Sequence, residues 1–290
     1  MGDGKLHAFN TANGTELWSS FITGGEDYVL AQPTAPAANS SAVYVAAPPN
    51  ASLQDRVYGF SVAGSPLWTA IVSGICDKST PALDASKIYV ATTYGVTAIN
   101  ISDGSIAWSS TAGTATTWTV ASSAAIYYGT AGTVKALDIS DGHLLWTSAA
   151  LGGTVNDLAL SDGKLFARFG STLRALDASA GTAIWAAAAT VTTPPAIANG
   201  QVYAGTGNGN LRSFDEATGT ELWSTPAGNP VGVTVANGVV FTTWNTRAFD
   251  ASTGTQLVNL GNALGNSPES PVANGVFFVS NTYNLLAYIP

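Results

Sequence analysis

The feature that most constrains this chain is a short pattern that returns along its whole length. It consists of a small residue, an apolar residue, Asp or Asn, three variable positions, Gly, three more positions, and Trp. It reads Ala8-Phe9-Asn10 with Gly14 and Trp18, Ala98-Ile99-Asn100 with Gly104 and Trp108, and Ala136-Leu137-Asp138 with Gly142 and Trp146. It continues as Ala175-Leu176-Asp177 with Gly181 and Trp185, and Ser213-Phe214-Asp215 with Gly219 and Trp223. A second copy, Gly59-Phe60-Ser61 with Gly64 and Trp68, is one residue short in its turn. The seventh, Ala248-Phe249-Asp250 with Gly254, carries Val258 in place of Trp, and an eighth start, Ala287-Tyr288-Ile289, is followed by Pro290. The small residues are spaced by 51, 39, 38, 39, 38, 35 and 39 positions. A period near 39 is far too long for a heptad and fits one four-stranded β unit.

Between the motifs lies a second recurring piece: an apolar stretch with Pro or Thr, a polar turn, and an alternating strand. Pro195-Ala196-Ile197-Ala198-Asn199-Gly200 leads into Gln201–Gly205, and Pro271-Val272-Ala273-Asn274-Gly275 leads into Val276–Val279. Asn-Gly at 199–200, 237–238 and 274–275, and Asp162-Gly163, are strong hairpin signals. Each repeat therefore predicts four antiparallel strands, A to D. A and B flank the Asn-Gly turn, C carries the small residue and the Asp, and D carries the Trp. The Gly between C and D supplies positive φ, and the preceding Asp or Asn bonds its own turn. The indoles of Trp18, Trp68, Trp108, Trp146, Trp185 and Trp223 are expected to pack between neighbouring units. At ~25 cal/mol per Å² each buries a gross ~4–6 kcal/mol, an upper bound. No helix-period segment of useful length is present.

Composition agrees with that reading. Only 10% of residues are charged, against about 25% in an average globular protein, while the chain holds 31 Gly and 13 Pro. That disfavours helical bundles and favours an all-β chain rich in turns. The net charge is −8 and the ten Lys and Arg look scattered, which argues against nucleic acid as a partner. One cysteine, Cys76, forms neither an intramolecular disulfide nor a Cys-based metal cluster. No apolar run reaches the roughly 18 residues that span a bilayer. The start, Met1-Gly2-Asp3-Gly4-Lys5-Leu6, has no signal-peptide core. Low charge with abundant Ser, Thr and Asn leads to the expectation of an extracellular or periplasmic protein, its signal peptide not present in this chain.

The pattern resembles the tryptophan-docking repeat of the quinoprotein-like, or PQQ-repeat, β-propellers. The family pattern Ala-x-Asp-x-x-Thr-Gly-x-x-x-Trp is matched most closely at Asp215-Glu216-Ala217-Thr218-Gly219 with Trp223 and at Asp250-Ala251-Ser252-Thr253-Gly254. The resemblance covers nearly the whole chain and implies one propeller domain over residues 1–290, possibly a fragment of a longer protein. It is specific for fold and not for function, since the fold hosts both alcohol dehydrogenases and non-catalytic scaffolds. Seven A–B pairs, seven D strands and eight C-like strands limit the count to seven complete blades. The closing blade is expected to take A and B from around Pro271–Ser280, D from Thr15–Ser20, and C from Leu6–Asn10 or Leu285–Ile289, pairing the two ends of the chain. The extra C strand would mark a segment cut from a longer array, or a strand that frays or pairs with a neighbouring molecule.

The resemblance implies, for the family's enzymes, a quinone at the channel mouth with calcium, an Asp base and often a disulfide between adjacent cysteines. The single Cys and the compact length depart from that, so neither cofactor nor metal is expected and the catalytic set is empty. His7 and His143 fall in a C strand and a C–D turn, expected on the rim. Gly205-Thr206-Gly207-Asn208-Gly209 has no following Lys and reads as a B–C turn. The extra residues of the first period fall at Gly24–Tyr28 and Pro48–Ser52, loops of drifted length or of function.

Channel-mouth positions that break the apolar expectation are Asp77, Lys78, Trp118, Asn156, Asp157, Asn229 and Glu269. Trp118 would stack a sugar or aromatic ligand, or fill core beside the channel. Asp157 and Glu269 would share a cation, or stand as solvated carboxylates. Trp244 and Arg168, assigned to B strands, are expected in packing between blades. The reading that emerges is a non-catalytic scaffold presenting D–A and B–C loops to a protein, peptide or glycan. A quinone-dependent oxidoreductase with a degenerate site and a lectin-like domain are the alternatives.

Overall fold

The structure, a computed structural model, describes residues 4–22, 34–47, 55–74, 80–261, 272–273, 276–280 and 285–288. These form 29 strands and no helix. Six sheets have four strands each, running in chain order from residues 37–72 to residues 233–261; β1 (Lys5–Phe9) with β2 (Glu16–Phe21) forms a two-stranded sheet, and β27 (Val272–Ala273), β28 (Val276–Ser280) and β29 (Leu285–Tyr288) a three-stranded one. That inventory is seven A strands, seven B, eight C and seven D. The chain divides into two compact units, residues 1–156 and 157–290. The terminal sheets hold the surplus. β1 (Lys5–Phe9) pairs with β2 (Glu16–Phe21), and β29 (Leu285–Tyr288) pairs with β28 (Val276–Ser280). Each terminal C strand thus pairs with its own chain neighbour.

A single sheet shows how the sequence builds a blade. β19 (Ala196–Ala198) and β20 (Gln201–Gly205) pair across Asn199 and Gly200, which sit at φ +52° and +73°. Two consecutive positive φ values define the turn whose twist matches antiparallel strands, and Asn and Gly tolerate them best. β21 (Asn210–Asp215) then pairs with β20, and β22 (Glu221–Pro226) with β21. Within the C–D turn the Asp215 carboxylate accepts from the backbone N–H groups of Ala217 and Thr218 and from the Thr218 hydroxyl. Gly219 N–H closes the turn onto the Asp215 carbonyl at 2.9 Å. Asp138, Asp177 and Asp250 accept the same kind of turn bonds.

The small residue of the motif has a geometric cause. Ser213 lies directly opposite Trp223 in the C–D ladder, as Ala175 lies opposite Trp185 and Gly59 opposite Trp68. A Cβ on Gly59 would come within 2.7 Å of the Trp68 ring. Immediately after this pair the register slips in every C–D ladder of the regular copies, a β-bulge at the residue before Trp. Bulges re-aim side chains. Here the residue before Trp turns outward, with Leu17, Leu67 and Leu222 each about half exposed, while the indole turns toward the next blade.

An indole at these seams makes up to three contacts. Its ring lies against an aromatic residue of strand B in its own blade: Tyr44 with Trp68, Tyr89 with Trp108, Phe166 with Trp185 and Tyr203 with Trp223, all at centroid distances of 5.7–5.9 Å. Its Nε1–H donates to a main-chain carbonyl of the next blade: Trp18 to Val62, Trp68 to Ile101 and Trp108 to Ile139 in the first unit, and Trp185 to Glu216 and Trp223 to Ala251 in the second, at 2.8–3.2 Å. Its face covers the C–D glycine of that blade. A Cβ on Gly64, Gly104, Gly142, Gly219 or Gly254 would approach the preceding indole to 2.4–2.7 Å, and each glycine has positive φ. The motif's Gly is thus required by turn conformation and by the partner ring together.

Where Val258 replaces Trp, the packing changes. Phe241, the strand-B aromatic of that blade, stacks instead on Phe277 of the following sheet, at 4.3 Å and nearly parallel.

Two consequences are measurable by equilibrium unfolding. Trp185→Phe keeps the ring but removes its donor to the Glu216 carbonyl, and is expected to cost about 1–2 kcal/mol; Gly219→Ala, which meets both the ring and the positive φ, is expected to cost more than about 2 kcal/mol. The turn carboxylates also set an acid limit. The Ser and Thr side-chain and backbone donors hold Asp138, Asp177, Asp215 and Asp250 below the ordinary carboxylate value of 3.8. A depressed folded value stabilises above the unfolded pKa and is lost as pH falls through the folded one. Asp250→Asn, which keeps the acceptor as Asn10 does in the first copy, is expected to leave the melting temperature at pH 7 nearly unchanged and to flatten its fall below pH about 4.

Candidate binding face

The D–A connections and B–C turns share one edge of each unit because backbone bonds tie them together. In the first unit Gly113 N–H donates to Tyr94 O in the B–C turn of its own blade, and Thr116 N–H to Gly129 O of the next blade. In the second unit Ala227 N–H donates to Gly209 O, and Thr192 N–H to Gly205 O. Each connection is therefore stitched backward to one blade and forward to the next. Thr206–Gly209 forms the turn between β20 and β21, as its sequence implies.

Trp118 sits on this face, half-buried, between two buried threonines. Thr117 Oγ1 accepts from Gly129 N–H at 2.9 Å and donates to Trp118 O at 2.7 Å. Thr119 Oγ1 donates to Tyr89 O of the preceding blade. Thr193 makes the same two bonds, to Gly205 N–H and Pro194 O, so Trp118 stands where another blade has proline. Asn229 is exposed at φ +59°, a conformation that favours Asn, beside Gly209. Asp77, Lys78 and Glu269 lie outside the described residues, as do the Gly24–Tyr28 and Pro48–Ser52 loops and Cys76.

Asn156 and Asp157 are neighbours on β15 (Val155–Ser161), one exposed and the other buried. Asp157 is not a solvated carboxylate. It is 5% exposed, and its Oδ2 accepts from Arg168 Nε on the adjacent strand β16 (Lys164–Phe169). Arg168 Nη1 also donates to Gly170 O at 2.7 Å. Burial pushes the Asp157 carboxyl up despite the opposing pull of the Arg168 charge. Arg168 thus acts within its blade rather than between blades. Trp244 also departs from expectation: it lies in the B–C turn between β24 (Val239–Thr242) and β25 (Thr246–Asp250), at φ +80° and 45% exposed.

His7 bonds Glu16 at 3.1 Å and His143 bonds Asp141 at 2.7 Å, both in C–D pairs or turns. Among the described residues the His/Cys/Asp/Glu group close enough to share an ion is Asp138, Asp141 and His143. Its carboxylates already accept turn bonds from Ser140 and His143, and it faces away from the D–A connections.

The sequence reading missed a register. The position before the small residue of strand C is Lys135, Arg174, Arg212 and Arg247 in four consecutive blades, four of the ten cations in the chain. A column of this kind is visible only when repeats are aligned. Arg212 also lines a cleft of about 590 Å³ between the 188–190 connection and the 206–208 turn.

Sequence and structure comparisons fit this architecture. The profile of the family described as outer membrane protein assembly factor BamB matches residues 2–131 and 130–243. No curated protein matches the chain. Among solved structures, the computationally designed Ika8 protein superimposes with a TM-score of 0.82 at 15% identity, over 100% of this chain and 91% of that one. BamB from Moraxella catarrhalis gives 0.75 at 15% identity, over 98% and 93%, and Sqt1 from Saccharomyces cerevisiae 0.76 at 12%, over 100% and 91%. At such identities these likenesses report the fold, and with the strand inventory they make it a seven-bladed β-propeller.

The Asp157–Arg168 pair is open to a double-mutant cycle. Removing one partner of a buried pair strands the other, so Asp157→Leu is expected to cost about 3 kcal/mol in urea unfolding. Asp157→Leu with Arg168→Met is expected to cost less than either single change.

Proposed function

Because the chain belongs to the family of the outer membrane protein assembly factor BamB, we propose that it is a non-catalytic scaffold propeller that binds protein through its D–A connections and B–C turns. The observation that carries this reading is the stitching of that face: the connections donate backward and forward to the B–C turns at 2.8–3.4 Å. Loops fixed in this way present a preorganised surface, which lowers the ordering cost of association. The opposite, C–D edge is occupied by self-satisfied Asp turns. The low charge content and the family support a location at the cell envelope, periplasmic or extracellular. No helix among the described residues is long and apolar enough to cross a membrane.

Site-directed photocrosslinking in cells tests the reading. A benzoylphenylalanine at Thr190 or Asn208, on the connection face, is expected to give a discrete envelope-protein adduct, and one at Ser179, on the C–D edge, none. Adducts of equal yield from both edges would remove the proposal. So would turnover of a primary alcohol by the purified chain after addition of pyrroloquinoline quinone and calcium.

A further inference from the structure

The four aligned cations of strand C do not all find the same partner. Lys135 Nζ donates to Ala112 O, and Arg247 Nη1 donates to Pro226 O at 3.3 Å. Ala112 lies four residues beyond Trp108 and Pro226 three beyond Trp223. Each cation therefore reaches back to a main-chain carbonyl just past strand D of the preceding blade. For Arg212 the corresponding residues are Ala188 and Ala189, three and four beyond Trp185. They do not bond it; they form the opposite wall of the 590 Å³ cleft. Ala188 and Ala189 bring only methyl groups to that wall, beside Thr190.

Arg212 is left with donors to spare. Its Nη1 bonds Glu221 Oε2 at 2.5 Å, and its Nε, like that of Arg247, is buried without a hydrogen-bond partner among the described residues, but only Arg212 also lines the cleft. A guanidinium carries five N–H donors, and a buried one left unmade is costly. Beside it Asn208, which also lines the cleft, accepts from Thr206 Oγ1 through its Oδ1, and its amide Nδ2 is a further donor. The cleft thus offers donors and needs acceptors. Glu221 already neutralises the guanidinium, and the whole chain carries a net charge of −8, so a carboxylate or phosphate gains little there. The acceptor that Lys135 and Arg247 find in the preceding blade is a peptide carbonyl, whereas Arg174 lies over the Phe169 ring.

Resting on the protein-binding reading above, we propose that the Arg212 cleft holds the main chain of an extended, uncharged segment of the partner, with a peptide carbonyl accepting from the Arg212 guanidinium. The small alanine wall admits the backbone, and the guanidinium with Asn208 fixes its register.

Side-chain NMR of protein labelled with ¹⁵N-arginine tests this, the Arg212 Nε–H signal being assigned by its loss in Arg212→Lys. The probe is the capped peptide acetyl-Thr-Val-Thr-Val-Thr-amide, with N-methylacetamide as the minimal amide, and sodium acetate and methyl glucoside as the competing chemistries. A saturable shift of the Nε–H signal by the peptide is expected, with half-saturation about tenfold lower than for acetate. Ala188→Trp, which fills the cleft from an exposed position, is expected to abolish the shift with an unchanged melting temperature. Tighter saturation by acetate or by the glucoside, or no saturable shift with either amide, overturns the proposal. Loss of the cleft response while crosslinks from Thr190 persist ends this inference and leaves the scaffold reading in place; loss of those crosslinks ends the scaffold reading.

Discussion

The structure depends on one contact, an indole laid over a glycine of the next sheet. The ring excludes any Cβ at that glycine, and the glycine's positive φ lets the turn pass beneath it. A carbonyl from the same turn takes the indole N–H. One residue type thus supplies buried area, a shape constraint and a directional bond at the seams where the glycine and carbonyl contacts are described. Area alone would let two blades slide over each other. The hydrogen bond and the flat glycine platform fix the angle between successive blades. At Val258 both the ring and its donor are gone, and a pair of phenylalanines on B strands covers the gap. That substitute restores apolar contact without the directional bond.

A scaffold locked through its outer strands leaves its connections with a separate task. Here the D–A connections and B–C turns satisfy one another's backbone groups, so little of that face is free to reorganise on binding. Charge follows the same division. The Asp residues of the C–D edge are consumed by their own turns, while Lys135, Arg212 and Arg247 on strand C face the connections of the preceding blade. The buried Asp157–Arg168 pair belongs to the blade interior, and its arrangement follows from two adjacent strands rather than from any ligand.

The sequence disclosed the blades, their strand order, the tight turns and the surplus C strand, because each rests on local chemistry repeated every 39 residues or so. The candidate site was far less legible. Trp118 and Asp157 stood out only as exceptions to an apolar pattern. Their surroundings, a threonine-pinned connection for one and an arginine across the ladder for the other, come from pairing between segments and leave no mark in a single repeat. Trp244 was misplaced because a B strand and its turn share the same residue types. The cations looked scattered since their spacing of 39, 38 and 35 forms a column only once the blades are aligned.

By itself, then, the order of residues determined what each module is: Asn-Gly and Asp-Gly demand hairpins, a small residue is needed opposite an indole, and Asp before a glycine makes its own turn. Those are short-range rules, settled within a few residues by sterics and hydrogen bonding. Tertiary structure alone decided which leftovers meet. Whether a buried guanidinium finds a carbonyl, as Arg247 does, or opens onto a cleft, as Arg212 does, depends on how one blade's last strand departs toward the next. That departure is set by packing summed over the whole seam, and no local pattern encodes it.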